Sequence, residues 1–354
     1  QLDGVDEVLR RLRRRPEPFG GVQLLMIGDL HQLSPVIRDD EWRLLQPHYA
    51  SAYFFGSNAL SRLEMVPIEL QQVYRQSDDA FIDLLNRVRD GRLDGESLAR
   101  LNARLREDAA SEAYAGYITL CTHNRRADAI NAGRLADLDG EARQFEAEVE
   151  GDFPPHAYPT FSTLGLKVGA QVMFVRNDPS PDKRFFNGKL GEVTRFGSDL
   201  VEVQCPEDES PITVERIRWE NVQYTIDEET TAITAKVTGS FRQFPLKPAW
   251  AITIHKSQGL TFDRAIVDAE AAFAYGQVYV ALSRSRSLGG LVLSTPLAAT
   301  AIQPDEGIQH FLEGCRQRMP SRTQLADAAR SCHERLLLEC FDFQELGRLL
   351  GRLE

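Results

Sequence analysis

Residues 251–262 read Ala251-Ile252-Thr253-Ile254-His255-Lys256-Ser257-Gln258-Gly259-Leu260-Thr261-Phe262. Ala251 to Ile254 is a short run of strand character. It stops abruptly at His-Lys-Ser-Gln-Gly. A buried run that ends in polar residues and a glycine is how a strand of a parallel sheet ends at a site. Such a turn offers a Lys, a hydroxyl and backbone N–H groups, a set that suits a phosphodiester. Gly259 permits close backbone approach. Consecutive small and polar residues of this kind rarely serve packing, so the stretch is read as functional.

Working outward, the same α/β character continues on both sides. Ala265 to Val267 and Gly290 to Ser294 read as strands, and Gly276 to Ser283 as a helix. Upstream, Tyr117 to Cys121 is a strand followed by a helix from Arg125 to Leu135. Phe81, Leu84, Leu85 and Val88 fall at helical spacing and predict an amphipathic helix ending at Gly91. Val22 to Ile27 is a continuous apolar run ended by Gly28-Asp29, and predicts a buried parallel strand. Ser51 to Phe55 is a second strand candidate, and Ile68 to Gln76 carries a strand end into a polar turn. Leu2, Val5, Leu9 and Leu12 predict a helix over residues 1–15. The tail from residue 302 reads as helical.

The period changes between residues 166 and 244. Val172–Val175, Gly191–Thr194, Leu200–Val203, Thr213–Ile217 and Thr231–Val237 are short strand candidates separated by turn residues. Short strands at regular spacing predict a small β-barrel or sandwich inserted into the α/β region.

Composition bounds the function class. The chain has 354 residues, room for two or three domains. With 41 basic and 52 acidic residues the net charge is −11, which on its face disfavours a nucleic-acid partner. The charge is uneven, however. Residues 202–230 hold nine acids and two bases, whereas 241–290 hold three acids and six bases. A local basic groove is therefore compatible with the acidic total. The five cysteines are scattered, with no C-x-x-C pair. That argues against a zinc ribbon or a disulfide framework and suits a reducing cytoplasm. No apolar run approaches the ~18 residues that span a bilayer, so no membrane partner is expected.

Three further clusters carry chemistry. Gly28-Asp29-Leu30-His31-Gln32-Leu33-Ser34-Pro35-Val36 places an amide after a strand, where a Gln can orient water or sense a phosphate. Read alone, it fits a capped strand-to-turn transition equally well. Leu70-Gln71-Gln72-Val73-Tyr74-Arg75-Gln76 puts an Arg in a turn; alone it reads as a surface Arg. Gly276-Gln277-Val278-Tyr279-Val280-Ala281-Leu282-Ser283-Arg284 delivers one Arg at the end of an apolar helix. That Arg is placed either for a shared site or for the helix dipole.

Together, these four motifs and their order resemble the superfamily 1 DNA helicases, nearest the Pif (petite integration frequency) and RecD branch. The resemblance covers residues 1 to about 300. It implies an α/β fold of RecA-like, P-loop NTPase type parallel-sheet domains, the second carrying an inserted small SH3-like β-barrel. Mapped onto this chain, residues 1–66 are expected to belong to the first RecA-like domain. Residues 67–150 and 246–300 are expected to form the second, 151–245 the inserted barrel region, and 301–354 a helical tail that serves as a cap. The implied activity is ATP-dependent 5′→3′ translocation on single-stranded DNA, with duplex junctions as further partners.

Residue by residue, Gln32 resembles the family's γ-phosphate-sensing Gln, and Arg75 and Arg284 its two arginine fingers. Gly28, Asp29, Gln258 and Gly259 match positions near the nucleotide. His255, Lys256 and Ser257 resemble the loop on the DNA backbone, and Thr122, His123 and Asn124 a further DNA-contacting segment. Pro35 and Val36 resemble residues that wedge against bases. Asn187 and Gly188 match the barrel's turn. No metal-ligating set is read in the chain.

The departures from the family matter. Ser34 stands where a Pro is usual. The phosphate-binding loop G-x-x-G-x-G-K-[ST] does not occur in these 354 residues, nor does the Asp-Glu pair that holds Mg²⁺. Residue 1 is Gln and already reads as mid-helix. The chain is expected to be the C-terminal part of a helicase whose full-length parent uses ATP and Mg²⁺. By itself it is expected to bind neither tightly and to lack ATPase activity. The alternative is a non-catalytic truncation that keeps single-stranded nucleic-acid binding. An RNA helicase is a third reading, because backbone contacts discriminate sugars poorly.

Overall fold

The structure is a computed structural model that describes residues 1–109, 111–206, 208–226, 233–268, 276–298 and 305–344. Two compact units divide the chain. One comprises residues 1–25, 37–72 and 305–354, the other 26–36 and 73–304.

The larger unit is built on a four-stranded parallel sheet. Its order is Ala251–Thr253, Ile118–Cys121, Ala265–Val267, Leu291–Leu293. Thr119 lies opposite Ala251, Ile118 opposite Ala265, and Ala265 opposite Leu291. Alternation along each strand fills two cores. Ile118, Leu120, Ile252, Ala265, Val267, Leu291 and Leu293 face the main core. There they meet Phe81, Leu84, Leu85 and Val88 of the helix Asp79–Arg89 and Val278, Val280 and Leu282 of the helix Gln277–Ser283. On the other face, Cys121 and Ala251 pack on Ala127 of the helix Asn124–Asp137. Ile266 and Val292 pack against Ala109 there. Strands covered on both faces read as unbroken apolar runs, which explains their legibility.

Ala251–Thr253 is an edge strand, and its outer backbone groups need partners. Asn131 supplies both. Its Nδ2 donates to the Ala251 carbonyl at 2.8 Å, and its Oδ1 accepts from the Ala251 N–H at 2.8 Å. A helical side chain thus stands in for a neighbouring strand.

The β-rich region lies in the same unit. Five antiparallel strands run in the order Leu246–Pro248, Gln171–Phe174, Leu190–Phe196, Val201–Gln204, Ile212–Val214. Val172, Phe174, Val193, Val201, Val203, Ile212, Val214 and Leu246 close a separate core. Arg143–Glu146 pairs with Thr163–Leu166. Glu148–Gly151 joins a ribbon of Ile217–Ile226 and Ile233–Gln243. The predicted strand Thr213–Ile217 is divided: residues 215–216 leave the ladder and the next strand begins at Ile217. Thr231 and Ala232 of the predicted strand Thr231–Val237 lie outside the described residues.

The smaller unit is held by polar anchors. Asp6 accepts from the Phe19 N–H at 2.6 Å. Asp3 accepts from the Ser57 hydroxyl at 2.8 Å and the Ala59 N–H at 2.6 Å. Burial pushes the Asp3 carboxyl up, but these bonds, with those from Tyr49 and Asn58, outweigh it and hold it below the usual range. Phe54 and Phe55 pack on Phe311 of the tail helix Glu306–Gln317. Residues 302–304 and 345–354 of the predicted helical tail lie outside the described residues. Among the described residues no helix is long and apolar enough to cross a membrane.

Three strand expectations are corrected. Val22–Ile27 is irregular backbone, with Leu25 and Ile27 80% and 86% exposed. A parallel strand exists only through pairing, and among the described residues none pairs with this run. Ser51–Phe55 gives way to a short 3₁₀ turn at Phe54–Gly56, because the ring contacts to Phe311 hold it compact. Among the described residues Ile68–Gln76 pairs with no strand, and Leu70 is 87% exposed.

Asn131→Ala leaves two buried backbone groups of Ala251 unpartnered. It should cost about 1–3 kcal/mol in urea unfolding, with an unchanged slope. An unchanged midpoint would contradict the edge-capping role.

Candidate functional site

The parallel strands set the site by where they stop. Thr122 follows Cys121, and His255 follows Ile254; the Ile254 N–H donates to the Cys121 carbonyl at 2.8 Å. Two predicted binding segments therefore emerge side by side at the carboxyl ends of adjacent strands, where ligands meet such sheets. His123 and Asn124 are exposed, and Thr122 is half-buried, with its hydroxyl 2.8 Å from His123 Nδ1.

The loop after Ile254 differs from expectation. Ser257 is fully buried, and its hydroxyl donates to the Ile254 carbonyl at 2.7 Å. The N–H groups of Ser257, Gln258 and Leu260 are also spent inside the loop, on the carbonyls of Thr253, His255 and Ser257. The predicted hydroxyl and these N–H groups thus hold the turn together instead of facing a ligand. What the loop presents outward are the side chains of His255, Lys256 and Gln258. Gly259 sits at φ +84° with open space around it, so its glycine serves the turn.

Asn187 and Gly188 reach the same loop from the β-rich region. Gly188 is buried at φ +97°, and a Cβ there would lie 2.4 Å from Leu260 Cδ2. The Asn187 N–H is held by Asn177 Oδ1 at 2.8 Å.

The Gly28–Gln32 turn closes on Asp29. Its Oδ1 accepts from the His31 N–H at 3.0 Å, and its Oδ2 from Gln32 Nε2 at 3.0 Å. Gln258 Nε2 then donates to Gln32 Oε1 at 3.3 Å, joining the first motif to the third. Gly276 holds this turn from beneath. It lies at φ +81°, and a Cβ would fall 2.2 Å from the Gln32 carbonyl oxygen. Only glycine fits there, a requirement that no local sequence pattern marks. Gly28 is in open space, and Pro35 and Val36 are exposed.

Arg284 is 1% exposed. Its Nε donates to the Val280 carbonyl at 3.1 Å, Nη1 to the Leu260 carbonyl at 3.2 Å, and Nη2 to the Ser283 hydroxyl at 3.3 Å. Burial, with the nearby Arg75 charge, pushes its guanidinium down to about 10, against the opposing pull of Tyr279 and Asp29. Arg75 Nη1 donates to the Ser283 carbonyl at 3.1 Å. Gln76, missed by the sequence reading, donates to the carbonyls of Ser283 and Ser285 at 3.1 and 2.9 Å. Arg75 and Gln76 thus satisfy carbonyls that the end of the helix Gln277–Ser283 leaves open. Neither Arg75 nor Arg284 forms an ion pair among the described residues. Among those residues no cluster of three acidic, His or Cys side chains is placed to hold a metal ion.

The geometry has counterparts. The sequence profile of PIF1-like helicases matches residues 1–98, and that of the UvrD-like helicase C-terminal domain matches 248–292. The chain is 34% identical over 326 residues to the ATP-dependent DNA helicase PIF1 of Homo sapiens, covering 89% of this chain and 47% of that one. Against the ATP-dependent DNA helicase Pif1 of Psychrobacter sp. the figures are 29% identity, 83% and 51%. The chain thus spans about half the length of the curated relatives it matches. Among solved structures, unliganded Pif1 from Bacteroides sp. superposes with a TM-score of 0.77 at 37% identity, covering 89% of this chain and 72% of that one. Bacteroides Pif1 bound to ssDNA gives 0.67 at the same identity and coverage.

Gly276→Ala should push the Gln32 turn off its seat and raise deuterium uptake over residues 28–34. It should also destabilise the fold by about 1–2 kcal/mol, since a non-glycine residue is forced to φ > 0. Unchanged uptake would show that the turn does not depend on this contact.

Proposed function

This chain belongs to the family of PIF1-like helicases, and we propose that it is part of an ATP-dependent 5′→3′ DNA helicase that couples ATP hydrolysis to translocation on single-stranded DNA. The carrying observation is the placement of Arg75 near the buried Arg284, neither bonded to a carboxylate among the described residues, together with the Gln32–Gln258 amide pair. Cations gathered against their own repulsion fit a strongly anionic group.

In this reading the substrate's terminal phosphoryl group lies against Arg75, with the buried Arg284 guanidinium behind it acting through its charge. As the bond to the leaving group loosens, charge grows on the phosphoryl oxygens, and fixed guanidinium groups stabilise that charge without reorganising. Gln32, held by Asp29, orients the attacking water or reads the γ-phosphate. Asp29 alone does not make a Mg²⁺ site.

The single strand then crosses the carboxyl ends of the sheet. Lys256 and His255 contact its backbone, and Thr122, His123 and Asn124 lie next to them. Pro35 and Val36 abut the bases, and the Asn187–Gly188 turn borders the path. The β-rich region takes the part of the SH3-like insertion, residues 67–150 and 246–300 that of the second RecA-like domain, and 1–66 that of the first. Duplex junctions are further partners. Relatives whose names call them ATP-dependent DNA helicases, and one solved with ssDNA, support this reading.

The glycine-rich phosphate loop is not among these residues, so the 354-residue chain by itself should not turn over ATP. It should still bind a fluorescein-labelled oligo-dT in low salt, several-fold more weakly after Lys256→Ala. ATP turnover by the chain, lost on Arg284→Ala, would overturn the expected inactivity. Failure to bind the oligonucleotide would overturn the single-strand reading.

A further inference from the structure

Lys247 lies on Leu246–Pro248, the strand that opens the return from the β-rich region to the parallel sheet. It stands opposite Met173, which in turn stands opposite Leu190. Strand alternation puts these three on one face. That face is the seam between the two cores: Met173 is buried in the main core and Leu190 packs against it, whereas their neighbours Val172 and Phe174 fill the β-region core. Leu260, on the Gly188 turn and at the end of the His255–Gly259 loop, packs on the same core.

The seam holds a charge it does not satisfy. Lys247 is half-buried, yet among the described residues its ammonium makes no ion pair or hydrogen bond. Burial lowers its ammonium to about 8, and the charged neighbour acting on it is another cation, Lys256. A desolvated ammonium without a partner is costly, and a second positive charge adds to that cost. An anion seated between the two would relieve both terms. The loop itself supplies little else, since the Ser257 hydroxyl and three of its N–H groups are turned inward.

We propose that Lys247 and Lys256 together seat one phosphodiester group of the bound strand, Lys247 from within the seam and Lys256 from the exposed loop. The proposal rests on the single-strand reading of the preceding section and adds a contact outside the helicase motifs. Lys247 then acts as a fixed cation, with its stem held by the strand, and Lys256 as a mobile one.

The test is anisotropy of a fluorescein-labelled oligo-dT against the full chain, titrated from low to moderate salt, for wild type, Lys247→Met, Lys247→Arg and Lys256→Ala. Lys247→Met should weaken binding roughly five- to tenfold at low salt and make the slope of log affinity against log salt shallower by about 0.7, one phosphate's share on a single strand. Its thermal midpoint should not fall, because an apolar chain of similar length replaces an unpartnered charge. Lys247→Arg should keep most of the affinity and the wild-type slope. Wild-type affinity and slope in Lys247→Met, with Lys256→Ala weakened, would overturn the two-lysine seat and leave the single-strand reading standing. A loss of affinity with unchanged slope, not rescued by Lys247→Arg, would mean packing and would also overturn it. Displacement of the oligonucleotide by inorganic phosphate at matched ionic strength, seen in wild type and absent in Lys247→Met, would assign the seat to free phosphate instead. If no form binds, the single-strand reading fails and this contact with it.

Discussion

The guanidinium of Arg284 is buried and held by two backbone carbonyls and one hydroxyl, with no carboxylate bonded to it among the described residues. A buried charge held only by neutral acceptors is expensive unless the surroundings fix those acceptors in advance. Here they are fixed. Val280 and Ser283 belong to the helix that carries Arg284, and Leu260 belongs to the loop that follows the edge strand. The helix Gln277–Ser283 is seven residues long, too short to persist unaided. Burial of Val278, Val280, Ala281 and Leu282 in the main core holds it. The placement of one cation therefore depends on the packing of the whole parallel-sheet unit.

Around that point the other groups fall into place by contact. Arg75 and Gln76 end on the carbonyls of the same helix terminus. Gly276, at the opposite end, admits the Gln32 carbonyl at a distance no side chain would allow. Gln32 is tied to Asp29 on one side and Gln258 on the other. Four motifs, distant along the chain, meet through backbone carbonyls and amide side chains, with no ion pair among the described residues joining them.

Much of this was legible in the sequence because the physics was local. Strands covered on both faces read as apolar runs, and Ile118–Cys121, Ala251–Thr253, Ala265–Val267 and Leu291–Leu293 lie where those runs are. Val22–Ile27 has the same apolar character and forms no strand, since pairing is a property of neighbours and not of the run itself. The helix Gly95–Asn102 went unread, although Asp94 caps it through the Ser97 N–H; its apolar face is only two turns long. The strands at 143–146 and 148–151 went unread because their residues are polar and mostly exposed. In the sequence Ser257 reads as a ligand-facing hydroxyl, and only the fold reveals that the loop consumes it. Gly276 and Gln76 act through contacts with residues more than 200 positions away, a relation no local pattern carries.

Arg284 is locked in place by the fold itself, through the Val280 and Leu260 carbonyls and the Ser283 hydroxyl. Its Nε–H donates to the Val280 carbonyl inside a buried pocket, so it should exchange slowly with solvent. An ¹⁵N-labelled sample of the chain, without nucleotide or DNA, should show a sharp Arg284 Nε–H resonance that persists at neutral pH and is absent in Arg284→Lys. An Arg284 signal broadened by exchange, as for a fully exposed arginine, would contradict the account.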